Sequence, residues 1–277
     1  MPRCRDTGDL MRDAMQQTLI SWGRRLTLVA VLALTACLPR RAPNCRAAPP
    51  EAGCARVLFL GNSYTFVNNL PGVFEKVAAS LGHPVYTDLV APGGARLADH
   101  SVSDDVRQRI RTGHWTHVVL QEQSLFPAVE ASRQREMYPA VRALVAEIRA
   151  ANAQPVLLAT WGRPHGYPEG GFADYATMQA EITRGYRTIA QEQQSVLVPV
   201  GDAWAAVTAA HPDIPLWQPD GSHPSVQGTF LAANVLAATL FRAVPRGLGT
   251  RGDVPEVHVY RLQQAAAKAA LGAAAVP

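Results

Sequence analysis

A chain of 277 residues that is 48% hydrophobic and only 17% charged can bury a full core, which excludes an intrinsically disordered protein. Its net charge of +4 owes much to the first segment: residues 1–36 carry five arginines and three aspartates, and without them the net charge is +2. No basic stripe with interleaved aromatics appears, so the charge gives no footing for nucleic-acid binding.

The chain opens on a leader. Arg24-Arg25 precede the apolar run Leu26 to Leu34, and Thr35-Ala36-Cys37 follow. A positive start, a short apolar core and a small-residue exit read as a secretory signal. The run falls short of the ~20 residues of a membrane span. Leu34-Thr35-Ala36-Cys37 resembles a bacterial lipobox, which makes residues 1–36 a lipoprotein-type signal peptide and Cys37 the lipidated first residue. Membrane contact is then through the lipid anchor only, and the location is the bacterial envelope; cleavage without lipidation gives a periplasmic or secreted protein. Residues 37–54 read as a linker, with Cys45 and Cys54 free to form a disulfide in an oxidising compartment.

From residue 55 strands and helices alternate. Val57-Leu58-Phe59-Leu60 predicts a strand over Ala55 to Leu60 buried on both faces, ended by Gly61 and Asn62, with Ser63 next. A helix from about Pro71 to Leu81 carries Val73, Phe74 and Val77 on one face, with Asn69 as cap. Strand two covers Val85 to Val90 and ends at Pro92-Gly93-Gly94. A partly helical stretch from Leu97 to Arg111 leads to strand three, His117 to Leu120. Val141, Leu144, Val145 and Ile148 mark the next helix, and Pro155 to Thr160 strand four. Tyr175, Met178, Ile182, Tyr186 and Ile189 line a longer helix. Strand five is Ser195 to Val200, followed by a loop from Gly201 to Pro219. A helix from about Ser225 carries Phe230, Leu231 and Val235. Residues 244–277 form a C-terminal loop and an Ala-rich helix whose docking the pattern does not decide. The alternation predicts one α/β domain over 55–243, a three-layer α/β/α sandwich with a five-stranded parallel sheet.

Ser63 stands at a strand's carboxyl end, where open α/β sheets bind ligands. Asp220 and His223 lie three apart, before a helix that Pro224 suits to start. Ser, His and Asp make a nucleophile set when they meet in space. Taken singly, each has a plain structural reading as a turn serine, a capping aspartate and a surface histidine. Beyond strand four, Trp161 can face a sugar ring or acyl chain and Arg163 can hold an anionic group; the other reading is a packed indole and a solvated guanidinium. Asp202 is a rival orienting acid. His83, His100, His114, His117, His211 and His258 have no partner pattern. No Cys or His cluster points to a metal, and no cofactor is called for.

On these residues the chain resembles the SGNH/GDSL hydrolases, esterase-like enzymes on a flavodoxin-like sheet. Leu60-Gly61-Asn62-Ser63 matches their first block, Gly94 the second, and Asp220-Gly221-Ser222-His223-Pro224 with Gly228 the last. The likeness spans residues 57 to about 243. It implies Ser63 as nucleophile, His223 as base, Asp220 as its orienting partner, and the backbone N–H groups of Ser63 and Gly94 facing the oxyanion. The sequence departs from the family at the third block, which reads Gln121-Glu122-Gln123-Ser124, so the oxyanion amide falls to Gln123 in place of Asn. The GxSxG elbow of α/β-hydrolases is absent, since position 65 is Thr. The resulting expectation is an exported, lipid-anchored serine esterase acting on a small-molecule or carbohydrate ester, with acetyl as one candidate acyl group. A polysaccharide O-acetyltransferase using the same acyl-Ser63, or a non-catalytic envelope binding protein, are the alternatives.

The leader can be tested by fractionation. Wild-type protein should partition into detergent and Cys37→Ser should move to the soluble fraction, because several acyl chains on one residue anchor stably. A soluble wild-type chain starting after Ala36 with unmodified Cys37 contradicts the anchor.

Overall fold

The computed structural model describes residues 43–247 and 249–272. The predicted leader and Cys37 lie outside the described residues. Five parallel strands, β1 (Ala55–Leu60), β2 (Val85–Val90), β3 (His117–Leu120), β4 (Gln154–Leu158) and β5 (Val196–Val198), form one sheet in the order β2-β1-β3-β4-β5. This is the flavodoxin-like order, with a topological switch point beside β1. Nine labelled helices connect or follow the strands: α1 (Ser63–Phe66), α2 (Leu70–Ser80), α3 (Leu97–Val102), α4 (Asp104–Thr112), α5 (Tyr138–Ala150), α6 (Tyr175–Glu192), α7 (Val200–Ala210), α8 (Val226–Phe241) and α9 (Glu256–Leu271). A helical turn, Glu130–Ser132, and one π-helical turn, Arg133–Met137, lead into α5.

Side chains of β1 alternate between two cores, as the two-residue period of a strand requires. Val57 and Phe59 join Phe74 and Val77 of α2, Trp204 of α7, and Phe230 and Leu231 of α8. Leu58 and Leu60 join Leu97, Ile110, Val141, Ile182 and Tyr186 on the opposite face. Both faces of the sheet are therefore dry, and the ligand-binding positions are confined to its edge.

The sequence reading and the structure part at two places, and the structure decides a third that the sequence left open. The chain leaves β5 at Val198 and turns into α7, where a loop was expected. Ala203, Trp204 and Val207 of α7 are buried at helical spacing, but its first turn has only Pro199 at the cap position and no side-chain capping bond, so no start signal marks it. Asp202 falls in that first turn and pairs with Arg187 at 2.7 Å and Thr183 at 3.2 Å, which takes it away from any role beside His223. The C-terminal helix α9 packs on the domain, burying Val259, Leu262 and Ala266 in the same core as α8.

Ahead of β1, Cys45 and Cys54 form a disulfide with Cα atoms 5.2 Å apart. Buried Arg56 donates to the carbonyls of Cys45, Arg46 and Ala47, so this segment is fastened to the domain.

Gly228, in the first turn of α8, is required by close approach. A Cβ there would lie 2.3 Å from the Leu216 carbonyl and 2.4 Å from the Trp204 ring, neither of which can yield. Gly228→Ala should cost ~1–3 kcal/mol, the range for overpacking. A thermal melt should show a drop of several degrees; an unchanged melting temperature would show that α8 slides freely.

Candidate active site

The loop after β1 is held from three sides. Gly61 N–H donates to Val90 O at 3.1 Å, and the Gly61 carbonyl accepts from His100 Nε2 at 2.8 Å. Burial lowers the pKa of that imidazole, which suits a neutral donor. Asn62 caps α1: its side-chain oxygen accepts from Tyr64 N–H at 3.1 Å, while its amide nitrogen donates to Ala95 O at 2.9 Å. The buried Gln121 Oε1 accepts from Asn62 N–H at 3.0 Å and from the Thr65 hydroxyl at 2.8 Å. A Cβ on Gly61 would stand 2.6 Å from that oxygen, so the approach needs glycine. Gln121 thus braces the Ser63 loop and is spent on structure. Asn62 links the Ser63 loop to the Gly94 loop.

Asp220 and His223 close on Ser63 from the far end of the chain. His223 Nε2 lies 2.9 Å from Ser63 Oγ, and His223 Nδ1 lies 2.5 Å from Asp220 Oδ2. The second carboxylate oxygen accepts from the backbone N–H groups of Ser222 and His223, at 2.9 and 3.0 Å. Burial works against the Asp220 charge, but the bonds from the His223 ring and these two N–H groups outweigh it and hold the carboxyl below its ordinary value. With Nδ1–H given to an ionised Asp220, Nε2 is left as an acceptor for the Ser63 hydroxyl.

Trp161 does not face a ligand. It is 1% exposed, stacked between Tyr64 at 4.7 Å and Trp204 at 4.0 Å. Its indole N–H donates to Ser222 O at 3.1 Å, and the Tyr64 hydroxyl lies 2.8 Å from Ser222 Oγ. Of its two readings the packed indole holds, and the ring supports the turn that carries His223. Tyr64, whose ring meets the His223 ring edge-on at 5.8 Å, went unnoticed in the sequence. Its position directly after Ser63 was the available signal.

Across the site, Gly94 sits exposed at a φ of +71° in the turn closed by Ala95 N–H to Pro92 O. Gln123 is half-buried, and its side-chain oxygen accepts from Leu125 N–H at 2.8 Å, which orients the amide and leaves its NH₂ as the free end. Glu122 fixes both loops. Its Oε1 accepts from Gln123 N–H at 2.7 Å and from Leu97 N–H at 3.1 Å, and its own N–H donates to Tyr186 Oη at 3.0 Å. Its Oε2 is buried without a partner. Burial pushes the Glu122 carboxyl up to about 7, against the pull of those two N–H groups.

No protein-family model matches the chain, and no curated protein matches it in sequence. Solved structures do. A chain from Slackia heliotrinireducens, assigned to the SGNH hydrolases, is 31% identical over 68% of this chain and 99% of its own, with a TM-score of 0.57. A DUF4886 family protein from Bacteroides uniformis is 17% identical, with 81% and 97% of the two chains covered and a TM-score of 0.63. An acetyl xylan esterase, AlAXEase, is 14% identical over 67% and 99%, with a TM-score of 0.52. The last two establish likeness of fold alone.

The raised Glu122 carboxyl makes stability depend on pH. A carboxyl with an ordinary pKa near 4.5 unfolded and about 7 folded holds more protons in the folded state between those values. Its stabilisation is present in full below the lower value and is lost as pH rises through 7. Glu122→Gln keeps an acceptor oxygen for both N–H groups and removes the charge. Melts at pH 5 and pH 8 should therefore show the variant gaining on wild type at the higher pH. Parallel pH dependence in the two proteins would mean that Glu122 carries no such proton.

Proposed function

The chain belongs to the SGNH hydrolases, and from that premise we propose that it hydrolyses a small carboxylic ester, acetyl foremost, through an acyl-Ser63 intermediate. The observation that carries this reading is the continuous chain of hydrogen bonds from Asp220 through His223 to Ser63. His223 Nε2 takes the Ser63 proton as Oγ adds to the ester carbonyl, and Asp220 steadies the imidazolium that results. The carbonyl oxygen becomes an oxyanion facing the backbone N–H groups of Ser63 and Gly94 and the Gln123 amide. Such preorganised donors act where charge develops, which is why they accelerate the step. As the tetrahedral intermediate collapses, the bond to the alcohol breaks and His223 returns the proton to the leaving oxygen. A water molecule then adds to the acyl-enzyme by the same route and frees Ser63.

The acetyl group is proposed in keeping with the acetyl xylan esterase that shares the fold. Export and the lipid anchor rest on the leader sequence. The Cys45–Cys54 disulfide supports an oxidising compartment, where such bridges persist.

Steady-state kinetics on 4-nitrophenyl esters, from acetyl to long acyl, tests the reading. Ser63→Ala should lose on the order of 10⁴ or more in turnover, with no acyl adduct by intact mass. Gln123→Ala should lose ~10²–10³ in turnover, the cost of one oxyanion donor, and melt slightly below wild type, since the lost bond to Leu125 N–H is worth ~1 kcal/mol. Full activity in a Ser63→Ala preparation free of contaminating esterase would overturn the assignment.

A further inference from the structure

We infer that Arg163 binds an anionic group, a carboxylate or phosphate, on the alcohol portion of the ester. The inference rests on the hydrolase reading and narrows it to a class of substrate.

Arg163 is the half-buried guanidinium without an acceptor. Among the described residues, the other arginines shielded from solvent all donate to oxygen: Arg56, Arg96, Arg107, Arg133 and Arg251. The Arg163 guanidinium makes no hydrogen bond or ion pair among the described residues, and its Nε is buried with no partner. It lies over the Tyr167 ring, 5.0 Å from the centroid, which supplies a π face and no acceptor. Burying a charged donor without an acceptor costs stability, so the group is poised for an anion from outside the chain.

The loop that holds it is fixed. Gly162 N–H donates to Gln179 Oε1 at 2.8 Å, Gly162 O accepts from the Trp217 indole at 3.0 Å, and Arg163 N–H meets Met178 Sδ at 3.3 Å. On its other side Pro164 sits against Gly221, 3.5 Å from where a Cβ would stand. Arg163 therefore borders the Asp220–His223 turn. Its charge reaches the Tyr64 hydroxyl, where burial raises the pKa and Arg163 is among the groups that oppose the rise. Asp220, the nearby anion, already spends both oxygens on His223 and the turn.

The side of the site follows from the chemistry. The oxyanion donors come from the loops after β1, β2 and β3, whereas Arg163 follows β4 and abuts the His223 turn. His223 protonates the leaving oxygen, so the alcohol lies on the His223 flank and its substituents meet Arg163. A planar guanidinium offers paired N–H groups that match carboxylate and phosphate oxygens.

The test uses three acetyl esters that share an aryl leaving group: 4-acetoxybenzoate, 4-acetoxyphenyl phosphate and the neutral 4-acetoxybenzamide. The ratio of kcat/KM for an anionic ester to that for the neutral one cancels intrinsic reactivity within each protein comparison. It also cancels any loss of folded enzyme. Arg163→Gln should lower that ratio at least tenfold, through KM, and Arg163→Lys should recover part of it. The larger of the two falls identifies carboxylate or phosphate. A ratio the same in all three proteins overturns the anion site while leaving the esterase intact. A calorimetric titration with 4-hydroxybenzoate and with 4-hydroxyphenyl phosphate separates the two readings. Binding that is lost in Arg163→Gln, in a protein that turns over none of the esters, keeps the anion site and removes the hydrolase. Absence of both turnover and binding removes both.

Discussion

Everything at the working edge depends on three strands ending level. Leu60 of β1 lies beside Val90 of β2 and beside Leu120 of β3. The ladder then runs one bond further on each side, from Gly61 N–H to Val90 O and from Gln121 N–H to Leu60 O. Three loops consequently leave the sheet at one height, and the groups on them can converge. A slip of one residue in β1 would turn Phe59 and Leu60 to the wrong cores and carry Ser63 away from His223. The apolar content of both faces is what forbids the slip.

Polar bonds then join the three loops to one another. Asn62 reaches the β2 loop, Gln121 reaches back to the β1 loop, and Glu122 ties the β3 loop to the start of α3. Each uses a side-chain amide or carboxyl to satisfy backbone N–H or C=O groups that the ends of strands leave open. Not every buried polar atom is served. Glu122 Oε2, Trp204 Nε1 and Arg163 Nε have no partner, and all three lie in or under this region.

Much of this was legible in the sequence, for reasons that differ by residue. The strands could be read because apolar runs bounded by Gly, Pro and Asn have few other solutions, and β1, β2 and β3 fall as expected. The Asp220–His223 pair could be read because a turn residue and a histidine stand three apart just before a helix, although Ser225 and not Pro224 starts it as the cap. Helix α7 could not, because the apolar run of β5 passes into Val200 with no polar cap between them. Trp161 stayed open between two readings because its stacking partners, Tyr64 and Trp204, are remote in sequence, and an indole beyond a strand looks the same whether packed or open. Gln121 and Gln123 are two apart, a spacing that turns side chains the same way in an extended segment. They serve different ends because Gly61 leaves room for the Gln121 oxygen, a vacancy visible only once β1 and β3 are paired.

The stacked aromatic column has an optical consequence. Trp161 and Trp204 lie nearly parallel, 6° apart in plane, at a separation where neighbouring indoles exchange excitation. Tyr64 extends the column and Trp217 meets it edge-on at 5.5 Å. The Trp161 N–H is bonded to the carbonyl of Ser222, one residue before His223. Any displacement of that turn perturbs an indole hydrogen bond and the asymmetric field around a coupled chromophore pair. The protein thus contains its own reporter: near-ultraviolet dichroism and emission follow the histidine's surroundings directly, without a label.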